Sequence, residues 1–470
     1  MKPVVNTIGC HTLLLLILFC QFLLVTIFNP VSIEAAEWKA GVATVSVIPE
    51  KPMWMAGYGS RDKPSEGKIH DLNLKALALE DPEGNRIVIT TVDLIGVTRE
   101  FSNTVSKEIQ KRFGLERKDL LFNASHTHCG PESRLPILFY IPEDWGIKIE
   151  AYVKFLERRY VDVISEAINN LKSSRLTFSR ATPVPFAVSR RFPSPKGILY
   201  RSGPSSYYTG GPRDDITPVL KVADLDGNIT AILFGYACHP ITLGGNVYQF
   251  SGDYPGYAQR FIEEAFPNAT ALFVQGCAGQ LVPNARFQLE YAMGHGKALA
   301  KAVIEAVDGE QITINGPIES AYDEVLLDFE PLPDRKIIEE NLKSDDYRVK
   351  RKAAYFLKKM DNNEPIESTI PFPLQTMRFG NELLLIGIFG ETVVEYAVQL
   401  KSDFLTYDFV WVAGYCNHSV GYLPPWRIQR EGGYEGGGSM QHMPVTGPFT
   451  ETVESRVLEG VRRLVKDVSD

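Results

Sequence analysis

Positive charge is in short supply, with 49 Lys and Arg against 57 Asp and Glu and a formal net charge of −8. A nucleic-acid-binding face needs a basic stripe, and none is present; the short run Lys350-Arg351-Lys352 reads as a solvated helix face. Beyond the first forty residues no stretch is apolar enough to span a bilayer. Internal repeats are lacking, and so is a Gly-x-Ser-x-Gly elbow, which removes that form of serine catalysis. Cysteine is sparse, six in 470 residues. Outside the N-terminal segment only Cys129, Cys238, Cys277 and Cys416 remain. In an exported protein they can form disulfides, or they can act as small buried residues filling tight space.

Hydrophobic residues make up 44% and charged residues 23%, the balance of a globular chain with a substantial core. The N-terminus stands apart. A weakly basic start leads into an apolar stretch, Leu13 to Phe28, followed by Pro30 and the small pair Ala35-Ala36. This is the pattern of a secretory signal over residues 1–36, with retention as a membrane anchor as the alternative. Export to the periplasm, the cell surface or the medium follows from either form. A lipid attached through Cys20 is disfavoured by the bulky Phe19 before it.

From residue 37 onward strand and helix patterns interleave without a regular βαβ rhythm, which predicts one large mixed α+β domain within the α/β class. Strands are expected at Arg86–Val92, Leu120–Ala124, Ala271–Gln275 and Val410–Ala413. Hairpins are expected around Asp226-Gly227-Asn228 and Gly380-Asn381. Helices are expected near 101–113, 149–171, 290–307 and 451–465. The charged stretch 332–365 reads as a helical, surface-facing excursion. Two loop-like zones, 182–218 and 426–448, are long enough to suggest function.

Histidine is also scarce, eight in the chain. His126 and His128 end the strand Leu120–Ala124, where side chains two apart share a face and both imidazoles open on one space. Such a pair can hold a metal or serve the core. His239 follows the strand 231–237 and is stopped by Pro240. Asp253 nearby can orient an imidazole or simply cap a helix. Glu391 follows the strand Leu383–Ile388 at the start of a helical pattern, where a carboxylate often just complements the dipole.

These residues carry a resemblance. Ser125-His126-Thr127-His128-Cys129-Gly130-Pro131 is similar to the Thr-His-Thr-His-Ser-Gly-Pro signature of the neutral (alkaline) ceramidase family. Met55-Ala56-Gly57-Tyr58, Gly67-Lys68-Ile69-His70, His239 with Ser251-Gly252-Asp253, Gly390-Glu391-Thr392, Gly414-Tyr415-Cys416-Asn417 with Gly421-Tyr422, and Tyr434-Glu435-Gly436 resemble further family elements in family order. The resemblance covers the chain from about Val42 onward. It implies the family's N-terminal catalytic domain, without the C-terminal β-sandwich of larger members.

By this resemblance the metal is Zn2+, held by His126, His239, Glu391 and Tyr422. His128, Arg190 and Tyr434 are the implied donors and proton carriers; the plainer role for Arg190 is a surface ion pair. The implied reaction is hydrolysis of an amide in an N-acyl substrate, lipid or small molecule, by metal-activated water, and peripheral membrane contact goes with a lipid. The family's Gly-Asp-x-Ser-Pro-Asn segment stands here as Gly279-Gln280-Leu281-Val282-Pro283-Asn284. Val282 offers no hydroxyl, so a serine nucleophile there is unavailable while a solvent nucleophile survives. Two alternatives stay open: a zinc hydrolase of the same fold acting on a non-lipid amide or ester, and a non-catalytic binding protein on a degenerate scaffold.

Overall fold

Strands Asn73–Glu80 and Arg86–Val92 are buried along almost their whole length, so they must be covered on both faces. Alternation decides what covers each face. Leu74, Ala76, Ala78, Val88 and Val92 pack into one core with the helices Arg99–Phe113 and Gly146–Asn169. Leu77, Leu79, Ile87 and Ile89, one residue out of phase, pack into another.

The computed structural model describes residues 37–134, 139, 141–195, 197–200, 210–419 and 421–469. The expected signal segment lies outside them. Among the described residues no helix is long and apolar enough to cross a membrane, and Glu37–Asp470 form one compact unit.

A large mixed sheet has the strand order Thr270–Gln275, Ile229–Tyr236, Thr217–Asp224, Lys172–Ala181, Trp38–Ser46, Asn73–Glu80, Arg86–Val92, Leu120–Ala124. The outermost pair at each edge is parallel, and the pairs between them are antiparallel. A second sheet runs Ile318–Asp328, Thr369–Phe379, Leu383–Ile388, Val410–Ala413. Met377, Phe379, Leu383, Leu385 and Trp411 face the large sheet. Leu374, Leu384, Ile386 and Ile388 face the other way, toward the helix Val453–Asp467. The layers therefore run helix, sheet, sheet, helix, and the mixed α+β expectation holds.

Both expected hairpins form. Several strands that apolar runs do not announce, such as Lys172–Ala181 and Ile318–Asp328, complete the sheets. The proline- and aromatic-rich zone 182–218 contains short strands at Ala187–Ser189 and Arg191–Ser194. The excursion 332–365 is helical, Arg335–Asn341 and Tyr347–Asp361, around a small core of its own. Its basic run is not simply solvated: Arg351 donates to the carbonyls of Phe139 and Ile141, and Lys352 to that of Met440.

Candidate metal centre

Four chain segments converge here, and Asn123 ties the first of them to the strand ends at Gln275 and Gly414. This polar residue sits in the apolar strand Leu120–Ala124 and is buried. Its Oδ1 accepts from Gln275 N at 2.8 Å, and its Nδ2 donates to Gly414 O at 2.8 Å. The strand ends that follow, Ser125-His126, Ala237-Cys238-His239 and Phe389-Gly390-Glu391, deliver their side chains to one point. Tyr422 arrives in register with Glu391, on a short parallel pair Glu391–Thr392 with Tyr422–Leu423.

The route differs from the sequence expectation for His126. The strand stops at Ala124, and His126 turns away with φ +66°, in the left-handed region that non-glycine residues occupy only when held there. His126 and His128 do face one space, with ring centroids 5.0 Å apart, through this turn and not through strand alternation. Gly57, φ +93°, packs so tightly on His128 that a Cβ there would come within 2.4 Å of the imidazole.

The Nδ1 atoms of His126 and His239 each lie 2.7 Å from a main-chain carbonyl, those of Ile95 and Ala278. A carbonyl only accepts, so both Nδ1 atoms carry a proton, and in a neutral ring it is Nε2 that presents the lone pair. Those lone pairs meet Glu391 Oε2 at 3.3 and 3.0 Å, and Tyr422 OH is 3.3 Å from His239 Nε2. Burial pushes the Glu391 carboxyl up, and the charge and N–H bonds that His126 and His239 offer when protonated outweigh it and hold the carboxyl well below the usual range. Burial, with Arg190 nearby, pushes His239 down to about 4, so that ring is neutral. With the rings neutral, two imidazole nitrogens and a carboxylate oxygen face one point, an arrangement that could hold a cation.

The spacing fits one. Donors around a tetrahedral ion at ~2.0–2.1 Å stand about 3.3 Å apart, and the observed separations are 3.0–3.3 Å. Burial raises the Tyr422 phenol well above its ordinary value and Arg190 pulls it back; a divalent ion would pull it much further.

A different set, His126, His128 and His239, also has its ligand atoms within 4.8 Å of one another. The two sets share two imidazoles and differ over His128. Metal-bound histidines almost always donate their second ring N–H to a fixed acceptor, as His126 and His239 do. Among the described residues His128 Nδ1 is buried without a hydrogen-bond partner, and its Nε2 lies 3.2 Å from His126 Nε2. Burial and the neighbouring imidazoles hold it neutral, well below its ordinary value. His126 and His239 therefore have the fixed acceptor behind the ring that a metal-bound histidine usually has, and His128 does not.

Arg190 is no surface residue. It is buried, donates from Nη2 to Tyr422 OH at 2.8 Å and from Nε to Glu435 Oε1 at 2.6 Å. Tyr434, about one-third exposed, stands with its ring 5.3 Å from that of Tyr422. All seven sequence-named side chains are therefore gathered around one centre. Asp253 is not: its carboxylate accepts from Leu243 N and Tyr254 N, and carbonyls orient the imidazoles in its place. All four cysteines are free and buried, so the space-filling reading applies. Val282 is buried against Val188 and Ile241.

Residues 44–321 match the family described as "Neutral/alkaline non-lysosomal ceramidase, N-terminal". The neutral ceramidase of Drosophila melanogaster is 23% identical over 238 residues, 50% of this chain and 33% of that protein. Neutral ceramidase 2 of Arabidopsis thaliana is 24% identical over 255 residues, 53% of this chain and 33% of that protein. These matches thus span about a third of each relative. The crystal structure of neutral ceramidase from Pseudomonas aeruginosa superposes with a TM-score of 0.71 at 18% identity, covering 91% of this chain and 74% of that one. A ceramidase complexed with C2 gives a TM-score of 0.69 at 16% identity over 92% of this chain and 75% of that one. At such identities the likeness shows a shared fold.

Proposed function

We propose, for a chain that belongs to the neutral/alkaline non-lysosomal ceramidase family, a zinc-dependent hydrolase that cleaves the amide of an N-acyl substrate of the ceramide class. The observation that carries the reading is the confrontation of His126 Nε2, His239 Nε2 and Glu391 Oε2 within 3.3 Å, with Tyr422 OH completing the set. Zinc held there would supply a Lewis acid for the carbonyl and make water a nucleophile near neutral pH.

The remaining roles fall to this chain's side chains. Neutral His128, with no fixed partner on Nδ1, takes a proton from the attacking water and returns it to the leaving amine. Arg190 donates to the Tyr422 hydroxyl and, with Tyr434, supplies positive potential and a hydroxyl donor to the developing oxyanion. A C–O bond forms, the C–N bond breaks, and the amine leaves with the proton. Buried Val282 takes no part. Export through residues 1–36 belongs to this reading and gives access to lipid outside the cytoplasm.

Metal analysis combined with hydrolysis assays tests it. The purified protein is expected to hold about one zinc per chain and to release amine from N-acyl sphingoid bases. His126→Ala should lose both metal and turnover while keeping a cooperative melt. A metal-replete protein with no turnover on N-acyl sphingoid, N-acyl amino-acid or ester substrates would favour the binding-protein alternative.

A further inference from the structure

We infer that Glu435 is a positioning residue, latching the loop that carries Tyr434 onto Arg190 and Arg191 and thereby setting the Arg190 guanidinium against Tyr422. Only 1% of its surface is exposed. One oxygen, Oε1, accepts from Arg190 Nε at 2.6 Å; the other, Oε2, accepts from Arg191 Nη1 at 3.0 Å. Arg191 also grips the start of the loop, donating to Gly432 O and to Glu431 Oε2 at 3.0 Å each. Arg190 is fixed from behind, its main-chain N–H on Gln280 O at 3.0 Å and its Nη2 on Gly279 O at 2.9 Å. That leaves its bond to Tyr422 OH, at 2.8 Å, as the contact directed at the site.

Three buried charges are a costly way to close a loop. Desolvation commonly cancels what such a pairing gains, and apolar groups of the same size would hold the loop as well. The charged form does something apolar groups cannot, which is to aim a guanidinium. Among the described residues the Glu435 carboxylate bonds to Arg190 and Arg191 and to neither Tyr422 nor the candidate ligands, so it acts through Arg190. The loop it ties down also turns back on itself, with Ser439 N on Tyr434 O at 2.9 Å, which places the Tyr434 ring over both Tyr422 and Arg190. One carboxylate therefore sets two groups on the same side of the centre.

The inference rests on the hydrolase reading for its catalytic consequence, but the latch itself has an independent readout. Arg430, exposed in the last turn of the short helix Trp426–Glu431 that leads into the loop, is a trypsin site once that turn opens. In Glu435→Gln one oxygen is replaced by an amide that would donate toward a guanidinium. Cleavage after Arg430 is expected to speed by about tenfold or more as local opening becomes easier. In the zinc-loaded protein kcat should fall about tenfold or more with KM within about threefold and zinc content unchanged, the signature of lost transition-state stabilisation. Glu435→Asp should recover part of both. Loading with Cu2+ in place of zinc gives a phenolate charge-transfer band whose position should shift in Glu435→Gln. Wild-type kcat, band and cleavage rate in Glu435→Gln would overturn the inference. If the wild-type protein neither holds metal nor turns over, the hydrolase reading has failed, and an unchanged cleavage rate at Arg430 would then sink the latch as well.

Discussion

Asn123 grips the main chain of Gln275 from both directions, Oδ1 accepting its N–H at 2.8 Å and Nδ2 reaching its carbonyl at 3.4 Å. The two residues lie on opposite edge strands of the large sheet. One carboxamide thus joins edges that the main chain leaves apart, and the same Nδ2 donates to Gly414 O at 2.8 Å.

Asn123→Ala should accordingly cost more than an ordinary polar deletion. It strands a buried N–H and a buried carbonyl, at ~1–3 kcal/mol each. A loss of roughly 2–4 kcal/mol is expected in denaturant unfolding, with weakened metal retention because His126 lies three residues on. A variant that matches the wild type in both would show that the junction is held by something else.

His128 separates the two ligand sets. If Glu391 and Tyr422 complete the cage, His128→Gln keeps its metal and loses turnover by roughly 10²-fold or more, whereas His126→Gln loses the metal. Should His128→Gln emerge from purification metal-free while Glu391→Gln retains zinc, the three-histidine set is the correct one.

Acid sensitivity is expected from His70. Its Nε2 accepts the Gly252 N–H at 2.6 Å, which requires the unprotonated atom. Burial, with Arg260 adding, pushes the ring down to about 4 from 6.5. The unfolded chain then holds a proton over that window that the folded chain lacks, so stability rises with pH from 4 to 6.5 and is lost on acidification. The contribution is about 2–3 kcal/mol, with partial exposure keeping it at the lower end. Asp253, pushed up to about 6 by burial, has the opposite slope. Comparing His70→Gln with wild type isolates the term: the variant's melting temperature should fall less between pH 6.5 and 4.

Val282→Ser restores the hydroxyl that the family signature carries. Buried among Val188 and Ile241, that hydroxyl has no apolar-compatible partner, and a destabilisation of ~1–3 kcal/mol is expected. Turnover per folded molecule should change by no more than a few-fold. A large gain in kcat would mean that the chemistry does use a side-chain nucleophile there.

The sequence makes the donors legible and hides their scaffolding. His126, His239 and Glu391 can be read because each follows an apolar run and sits in a short recognisable string, whereas Tyr422 is read only through the resemblance of Gly421-Tyr422 to a family element. Asn123 escapes notice, since its meaning depends on a partner 152 residues away. The carbonyls of Ile95 and Ala278, which fix the two tautomers, carry no residue-type signal at all. Asp253 is misleading for the opposite reason: a carboxylate beside a histidine string suggests a partner, yet main-chain amides claim it first. The same limit applies to the sheets. Leu383–Ile388 is fully apolar and evident, while half-exposed Ile318–Asp328 takes its identity from pairing with Thr369–Phe379.

The layering has a final consequence. In the proposed ligand set both imidazoles follow strands of the large sheet, and the carboxylate and phenol sit on a separate two-stranded pair that follows strands of the smaller one. A cut in the connection between them, around residues 314–316, would leave two donors on each fragment, too few to retain an ion firmly. The metal would then behave as an adhesive between separately expressed halves, and its concentration would govern their reassembly.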